Sequence, residues 1–469
     1  MSGASDPGID PTRALQSTPA SPAAHDTPPI SIEAALDLIL QNADPSHDIE
    51  YIPLADATGY VLAQNITADR DAPPFDRSMM DGYAVLAADV VSRPLDYSYA
   101  VHGVTIFAGQ LSTDPLTPGS CRRIMTGAPL PPGADCVIPV EETETETETE
   151  SQNTARIDAQ SVGRVRFTGV KNRAELRALR NVAPRGQDVR SGAVVLVAGR
   201  RIDSGVMNTL AAFGYAHVPV RRLPRVVILS TGDEIVDVAQ SDIRVEQIRD
   251  SNYYALCGSL AAYRIAPPAH QIIPDRPDAL RAAINAALSS DLLIITGGVS
   301  MGDADFVPGI LAEAGVQKIF HRVNVKPGKP LWFGHGPLTT SGAGGGPTGR
   351  GPVVFGLPGN PVSCQVGWKI FIEPYLRCVL GLGPAPVWRV PLARGRSKHG
   401  PRAEFFPARL TTSAEVSTLI QLEPLRGHSS GDVRATIDAQ GFALHPAGLP
   451  ELAAGELVDF YPQVGLAGS

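Results

Sequence analysis

Val226-Val227-Ile228-Leu229-Ser230-Thr231-Gly232-Asp233-Glu234 is an unbroken apolar run that ends abruptly in small, hydroxylated and acidic residues. Such a run reads as a strand buried on both faces, because a strand with one wet face would alternate. Two more stretches follow the same plan. Leu292 to Ile295 ends in Thr296-Gly297-Gly298-Val299-Ser300, and Val353 to Phe355 ends in Leu357-Pro358-Gly359-Asn360-Pro361. Between the first two, Gln271-Ile272-Ile273 ends in Pro274-Asp275, and Pro277 is placed to be the first residue of a helix running to Leu288. Apolar strands alternating with helices predict a mainly parallel sheet covered on both faces, a three-layer α/β/α unit whose ligands collect outside the carboxyl ends of the strands. Every polar cluster quoted above lies at such an end.

Outward from this unit the pattern changes on both sides. From about Tyr51 to Val220, short runs such as Tyr83-Ala84-Val85 and Cys136-Val137-Ile138-Pro139-Val140 are broken by Gly and Pro and read mostly as strand. Upstream, Ser31 is placed to cap a helix whose apolar stripe is Ile32, Ala35, Leu36, Ile39 and Leu40. The first 28 residues are rich in Ser, Pro and Ala, lack the apolar segment of a secretory signal, and read as a disordered tail. From about Pro384 onward, Gly and Pro again interrupt short strands, which predicts a small C-terminal β domain. Within 141–150, Glu recurs at every second position from Glu142, so an extended chain would set five carboxylates on one face. Neighbours ~7 Å apart repel by about 0.6 kcal/mol in water before screening, which predicts a mobile loop tip there. The Gly-rich stretch 336–351 reads as a flexible insertion between two strands.

A chain of 469 residues exceeds what one core sustains, so several domains are expected. Hydrophobic content of 43% and charged content of 19% are those of a globular protein, and no apolar run is long enough to span a bilayer. With 40 Lys and Arg against 48 Asp and Glu, the formal charge of −8 gives no general attraction to nucleic acid or anionic lipid. Five cysteines without a C-x-x-C pair fit reduced thiols in a cytosolic protein better than a zinc site or a disulfide framework.

The strand ends carry the candidate chemistry. Glu234, Asp275, Asp303 and Asp305 come from different loops that the parallel sheet brings to one edge, and oxygen ligands of this kind suit Mg²⁺, which uses one or two carboxylates plus substrate phosphates. Lys326-Pro327-Gly328-Lys329-Pro330 sets two ammonium groups three residues apart with restricted backbone directions, which suits a small oxyanion. Gly297-Gly298-Val299-Ser300 and Gly359-Asn360-Pro361-Val362-Ser363 precede helices, whose free N–H groups favour a phosphate or oxyanion. Neither matches a P-loop or a dinucleotide fingerprint. Together these features predict Mg²⁺-assisted chemistry on a phosphorylated substrate.

Pro73-Pro74-Phe75-Asp76-Arg77-Ser78-Met79-Met80-Asp81-Gly82-Tyr83-Ala84-Val85 closely resembles the PxFDNSAMDGYAV signature of the molybdopterin molybdenumtransferase family. Further motifs follow in that family's order: Arg123-Ile124-Met125-Thr126-Gly127-Ala128-Pro129, Ser230 to Glu234, Asp250-Ser251-Asn252, Gly297 to Gly302, Lys326 to Pro330, and Leu357 to Ser363. The resemblance covers about residues 30 to 465. It implies α/β plus β-rich domains in an elongated four-domain subunit with a C-terminal β-barrel-like domain. The implied boundaries are 29–65 with 179–222 for a discontinuous first domain, 66–178 for a β-rich second, 223–383 for the α/β third, and 384–469 for the fourth. It also implies a homodimer in which the third domain of one subunit faces the second domain of the other. The implied reaction converts adenylylated molybdopterin and molybdate, with Mg²⁺, to molybdenum cofactor and AMP, with transient contact to the preceding adenylyltransferase.

Residue by residue, the resemblance carries catalytic roles onto Asp81, Thr126, Glu234, Asp275 and Asp305, with Glu234, Asp275 and Asp305 as metal ligands. The substrate-binding set is Gly297, Gly298, Ser300, Arg322, Lys326, Lys329, Pro358, Asn360, Pro361, Ser363 and Ser430. Three positions depart from the pattern. Arg77 replaces the signature Asn and is expected to add positive charge near Asp81; Arg322 stands where relatives often carry Lys; and the family's molybdate-binding Arg of the last domain falls on Pro407, with Arg402 and Arg409 nearby. Two rival readings are the single-domain adenylyltransferase, which shares the Gly-Gly-Val-Ser turn but not the Met-Asp-Gly-Tyr signature, and a scaffold protein built on the same fold.

Overall fold

The structure, a computed structural model, describes residues 28–45, 48–146, 163–300, 305–337, 351–412, 420–425 and 427–463. The apolar runs form the middle of a six-stranded sheet ordered Ala269–Ile273, Val226–Thr231, Leu292–Thr296, Val353–Leu357, Trp332–His335, Gln317–His321. The first four strands are parallel and the last two antiparallel. Because side chains alternate along a strand, each run feeds two cores. Ile228, Leu292, Ile294, Val353 and Phe355 face helix Asn252–Ala261 and the long helix that starts at Pro361. Leu229, Leu293, Ile295 and Val354 face helices Pro277–Ala287 and Val307–Glu313. Burying a side chain of this size is worth roughly 1.5–3 kcal/mol, so both faces of the run are committed. Pro277 opens its helix as expected, and the buried Leu280, Ala283, Ile284 and Ala287 lie on one face of it.

The helix Ile32–Gln41 is capped by Ser31, whose hydroxyl accepts the Ala34 N–H at 3.1 Å. Its buried residues Ile32, Ala35 and Ile39 join the core over the α/β sheet, and Ile30 bridges to Val323. The helix grouped with the first unit in the sequence reading therefore contributes its apolar face to the third. Leu40, counted in the stripe, is 42% exposed. The long helix runs Pro361–Gly367, then one widened π turn Trp368–Ile372, then Glu373–Val379. The widening falls directly before Pro374, whose ring would strike the carbonyl four residues back in a regular helix.

The β-rich region forms a second six-stranded sheet, ordered Cys136–Pro139, Gly82–Val85, Ser120–Ile124, Tyr99–Val101, Arg164–Arg166, Glu144–Glu146. The acidic stretch is a correction as far as Glu146: Glu141 and Glu142 lie in a 3-10 turn and Glu144–Glu146 is an edge strand, not a loop tip. Glu146 meets Arg166 at 2.5 Å and Glu142 meets Arg180 at 2.6 Å, so paired cations remove the repulsion on which the loop expectation rested. Its remainder, the insertion 338–350 and the tail 1–27 lie outside the described residues. Ile49–Pro53 pairs with His217–Arg221, and Ile66–Thr67 with Val194–Leu196, around a core of Ile52, Leu62, Ile66, Leu196, Val206, Leu210 and Val218.

The last region curls into a barrel. Ile420–Pro424, Ala403–Thr412, Gly441–His445, Leu457–Pro462 and Trp388–Pro391 pair in sequence. Leu392 then bridges to Leu422 and closes the ring around Phe406, Ala443 and Phe460. One short strand from the α/β side, Val325–Lys326, adds in parallel to Ala403–Thr412. All five cysteines are free thiols. Among the described residues no helix is long and apolar enough to cross a membrane.

Candidate active site

The four parallel strands are in register at their carboxyl ends: Ile273 pairs with Thr231, Ser230 with Thr296, and Thr296 with Leu357. Four strand ends at ~4.8 Å spacing set the loops that follow them along an edge of roughly 15 Å. From the first two come Asp233 and Glu234, then Asp275, whose N–H donates to Asp233 Oδ1 at 3.1 Å. Asp305 approaches from beyond the third strand. Burial, followed by the charges of Asp233, Glu234 and Asp305, holds the Asp275 carboxyl above its usual range. The sequence-predicted carboxylates therefore share one field, with Asp233 as an added member. Among the described residues no three of them stand close enough to form a ready-made metal cage. Asp303, Met301 and Gly302 lie outside the described residues.

Beside the carboxylates, Gly297 and Gly298 wrap over Thr231 with φ of 89° and 62°. A Cβ on Gly297 would come within 2.5 Å of the Thr231 carbonyl, and one on Gly298 within 2.7 Å of its hydroxyl, so only glycine fits. Among the described residues that buried hydroxyl has no hydrogen-bond partner. The Gly297 N–H donates to the Leu357 carbonyl at 3.0 Å, which ties this loop to Pro358, Gly359 and Asn360. Ser300 is exposed at the loop's far side, and the next described helix is Val307–Glu313. His321 donates from Nε2 to the Val299 carbonyl at 2.8 Å. Burial, aided by Arg322 and Lys318, lowers its pKa.

At the other expected anion turn, Pro361 opens the long helix, but its donors are partly taken. Val362 N–H donates to the Ser430 carbonyl at 3.0 Å, and Asn360 Nδ2 donates to the Ser430 hydroxyl at 3.0 Å. The barrel loop thus caps the helix start, and Ser430 is brought to Asn360 and to Val362, the residue before buried Ser363. The lysine turn stands against the same start: a Cβ on Gly328 would lie 3.9 Å from the Ser363 carbonyl. Arg322 holds φ 78° and bonds through its N–H to the Leu331 carbonyl at 2.8 Å.

Lys326 is register partner of Glu404 in the added strand, and its Nζ lies 3.0 Å from Glu404 Oε2. Among the described residues Lys329 makes no ion pair. Of the two arginine candidates, Arg409 pairs with Glu423 at 2.7 Å and points away, whereas Arg402 reaches the Val325 carbonyl at 3.4 Å, beside the lysine turn. Pro407 is buried and paired with Phe442.

Asp81 and Thr126 sit together in the other sheet, where the Thr126 N–H and hydroxyl both donate to Asp81 Oδ1 at 2.7 Å. Those two bonds, with the Arg123 charge, hold the Asp81 carboxyl below its usual range. The cation that helps to lower Asp81 is Arg123. Within one chain none of the strand-end carboxylates acts on Asp81. Sequence reading missed Thr231, Asp233, His321 and Glu404. Only Asp233 had a local signal, its place in the acidic turn.

Comparison with known proteins gives three consecutive family matches. Residues 30–214 match the MoeA N-terminal region (domain I and II), 227–378 a probable molybdopterin binding domain, and 389–463 the MoeA C-terminal region (domain IV). The chain is 32% identical over 418 residues to a molybdopterin molybdenumtransferase of Bacillus subtilis (strain 168), covering 88% of this chain and 89% of that one. It is 31% identical to one from Synechococcus elongatus, with 92% and 98% covered. A crystal structure of the molybdopterin biosynthesis moea protein from Pyrococcus horikosii superposes with a TM-score of 0.74 at 27% identity, covering 93% and 99%.

Proposed function

The chain belongs to the molybdopterin molybdenumtransferase family of enzymes, and from that membership we propose that it inserts molybdate into adenylylated molybdopterin with Mg²⁺, releasing molybdenum cofactor and AMP. The observation that carries this reading is the strand-end edge. There, the charges of Asp233, Glu234 and Asp305 bear on the Asp275 carboxyl, and the Gly297–Gly298 loop wraps over Thr231 at the end of the neighbouring strand. Burial first and then neighbouring negative charge raise Asp275, a hard divalent cation would offset the charge, and Mg²⁺ normally takes one or two carboxylates, waters and substrate phosphate oxygens rather than an all-protein cage. Glu234, Asp275 and Asp305 would hold it. When bound, it supplies neutralisation of charge on the phosphoanhydride oxygens.

The chain's own residues do the rest. Gly297 and Gly298 let a phosphate-bearing substrate approach the backbone closely, and the Thr231 hydroxyl offers it a hydrogen bond. Lys326 and Lys329, with Ser363 and Ser430 behind them, hold the molybdate dianion beside the dithiolene sulfurs, so that insertion becomes effectively unimolecular. No side-chain nucleophile is required. Asp81 and Thr126, which adjoin a different sheet from the other carboxylates, would act from a second copy in a homodimer. Phe75, Met79 and Met80 around Asp81 are exposed at 38%, 55% and 40%, a surface suited to cover by another chain. The test is Asp305→Asn. It should fold and dimerise but release no AMP from adenylylated molybdopterin, and a normal rate of AMP release would remove the carboxylate from the mechanism.

A further inference from the structure

Among the described residues Lys326 is the one lysine of the turn with an ion-pair partner, and the group that pairs with it belongs to the barrel. The parallel addition of Val325–Lys326 to Ala403–Thr412 fixes Lys326 opposite Glu404, so their 3.0 Å contact follows from strand register. Glu404 is itself anchored from behind. The Arg396 guanidinium holds its other oxygen, lies 4.2 Å over the Phe406 ring, and contacts His445 Nδ1 at 2.9 Å. His445 is wholly buried and bonds through Nε2 to the Leu449 carbonyl at 3.0 Å, which leaves Nδ1 as an acceptor for Arg396. The two ends of the pair therefore differ in freedom: the Glu404 side chain is 13% exposed and doubly held, and the Lys326 side chain is 46% exposed with a flexible stem. Burial pushes the Glu404 carboxyl up, but the Lys326 hydrogen bond and the Arg396 charge outweigh it and hold it ionised below the usual range.

We propose that Glu404 is a built-in counter-ion that competes with the oxyanion for Lys326 and so sets oxyanion affinity, a role that rests on the reading of the lysine turn as the oxyanion pocket. An entering tetrahedral dianion meets Lys329 first, which makes no ion pair among the described residues. It then draws the Lys326 ammonium away from Glu404, which stays on Arg396. The carboxylate therefore lowers affinity while the site is free and keeps Lys326 ordered near its place of use. Because the barrel carries Glu404 and the α/β unit carries Lys326, oxyanion entry also loosens one contact between those two regions.

The test uses tungstate alone as the probe, titrated calorimetrically into the full-length protein. Glu404→Gln keeps the size and most hydrogen bonds but removes the charge, and should bind tungstate about five-fold more tightly, the scale of a partly exposed ion pair. In a Lys326→Met background the same substitution should give no gain, because the effect acts through Lys326. Glu404→Asp, which keeps charge toward Arg396 while withdrawing it from Lys326 by one methylene, should shift affinity in the same direction and secures the test should the Gln variant fail to fold. Weaker or unchanged binding by Glu404→Gln overturns the proposal, as does a gain that persists without Lys326. Failure of the wild-type protein to bind tungstate removes the oxyanion reading of the turn, and this inference with it. Binding by the wild type without the predicted gain removes only this inference.

Discussion

Arg322 shows how much of the site is decided by single residues whose reasons are not local. It occupies the left-handed region at φ 78°, held by a bond from its N–H to the Leu331 carbonyl and by the Ile30 N–H, which donates to its own carbonyl at 3.2 Å. A side chain there costs about 1 kcal/mol or more relative to glycine, and such strain persists where surrounding structure over-determines it. Arg322→Ala and Arg322→Gly both lose the guanidinium, so their difference isolates the backbone. The glycine variant should be more stable by about 1 kcal/mol in denaturant unfolding, and equal stabilities would show that the φ value carries no strain. At this scale residue type and spacing singled out Glu234 and the two lysines, whereas Asp81 came only through the family signature. Neither route exposed Glu404 or His321, because each matters only through a partner from another segment: Lys326 is 78 positions from Glu404, and the Val299 carbonyl is 22 from His321. Arg77 was expected to add positive charge near Asp81, and the charge that helps to lower the Asp81 carboxyl is that of Arg123, which the sequence reading did not single out.

Elements were legible where periodicity alone decides them. The four parallel strands were announced by apolar runs, the Pro277 helix by its first residue, and the Ser31 helix by its cap. The edge strand at Glu144–Glu146 was hidden because its stability comes from Arg164 and Arg166, across a gap that separation in sequence conceals. The π turn in the long helix was hidden too, although Pro374 was there to signal it. Inside that turn lies a buried pair. Lys369 Nζ is 2.6 Å from Glu373 Oε2, the two side chains are 5% and 2% exposed, and the Tyr263 hydroxyl donates to Glu373 Oε1 at 2.6 Å. Burial lowers the Lys369 pKa against the pull of Glu373. Removing one partner leaves a buried charge unanswered, so Lys369→Met should destabilise by about 3–5 kcal/mol. The triple replacement Lys369→Met, Glu373→Leu, Tyr263→Phe removes every polar member and should recover most of that loss. Recovery no greater than for the single variant would show that the pair itself, rather than its satisfaction, stabilises the widened turn.

At the scale of the whole molecule, the arrangement of two acidic centres makes a claim about assembly. Asp81 with Thr126 belongs to one sheet, Glu234, Asp275 and Asp305 to another, and within one chain no charge of the second set reaches the first. If one reaction uses both, the simplest arrangement that unites them is a two-fold pair of chains in which each active site takes Asp81 from one copy and Asp305 from the other. Asp81→Asn and Asp305→Asn would then each be inactive alone for different reasons. Mixed in equal amounts after subunit exchange, half of the dimers carry one of each chain. In such a dimer one site holds both substitutions and the other holds neither. Activity should therefore return to about a quarter of the wild-type value, because half of the dimers regain one of two sites. The control is the doubly substituted chain mixed with wild type, where every mixed dimer has one defective residue in each site and contributes nothing. Wild-type dimers alone leave that control at about a quarter of full activity, whereas about a half in the control with none in the complementing mixture would mean that Asp81 and Asp305 serve the same chain, and the two-chain site would have to be abandoned even if the protein is a dimer.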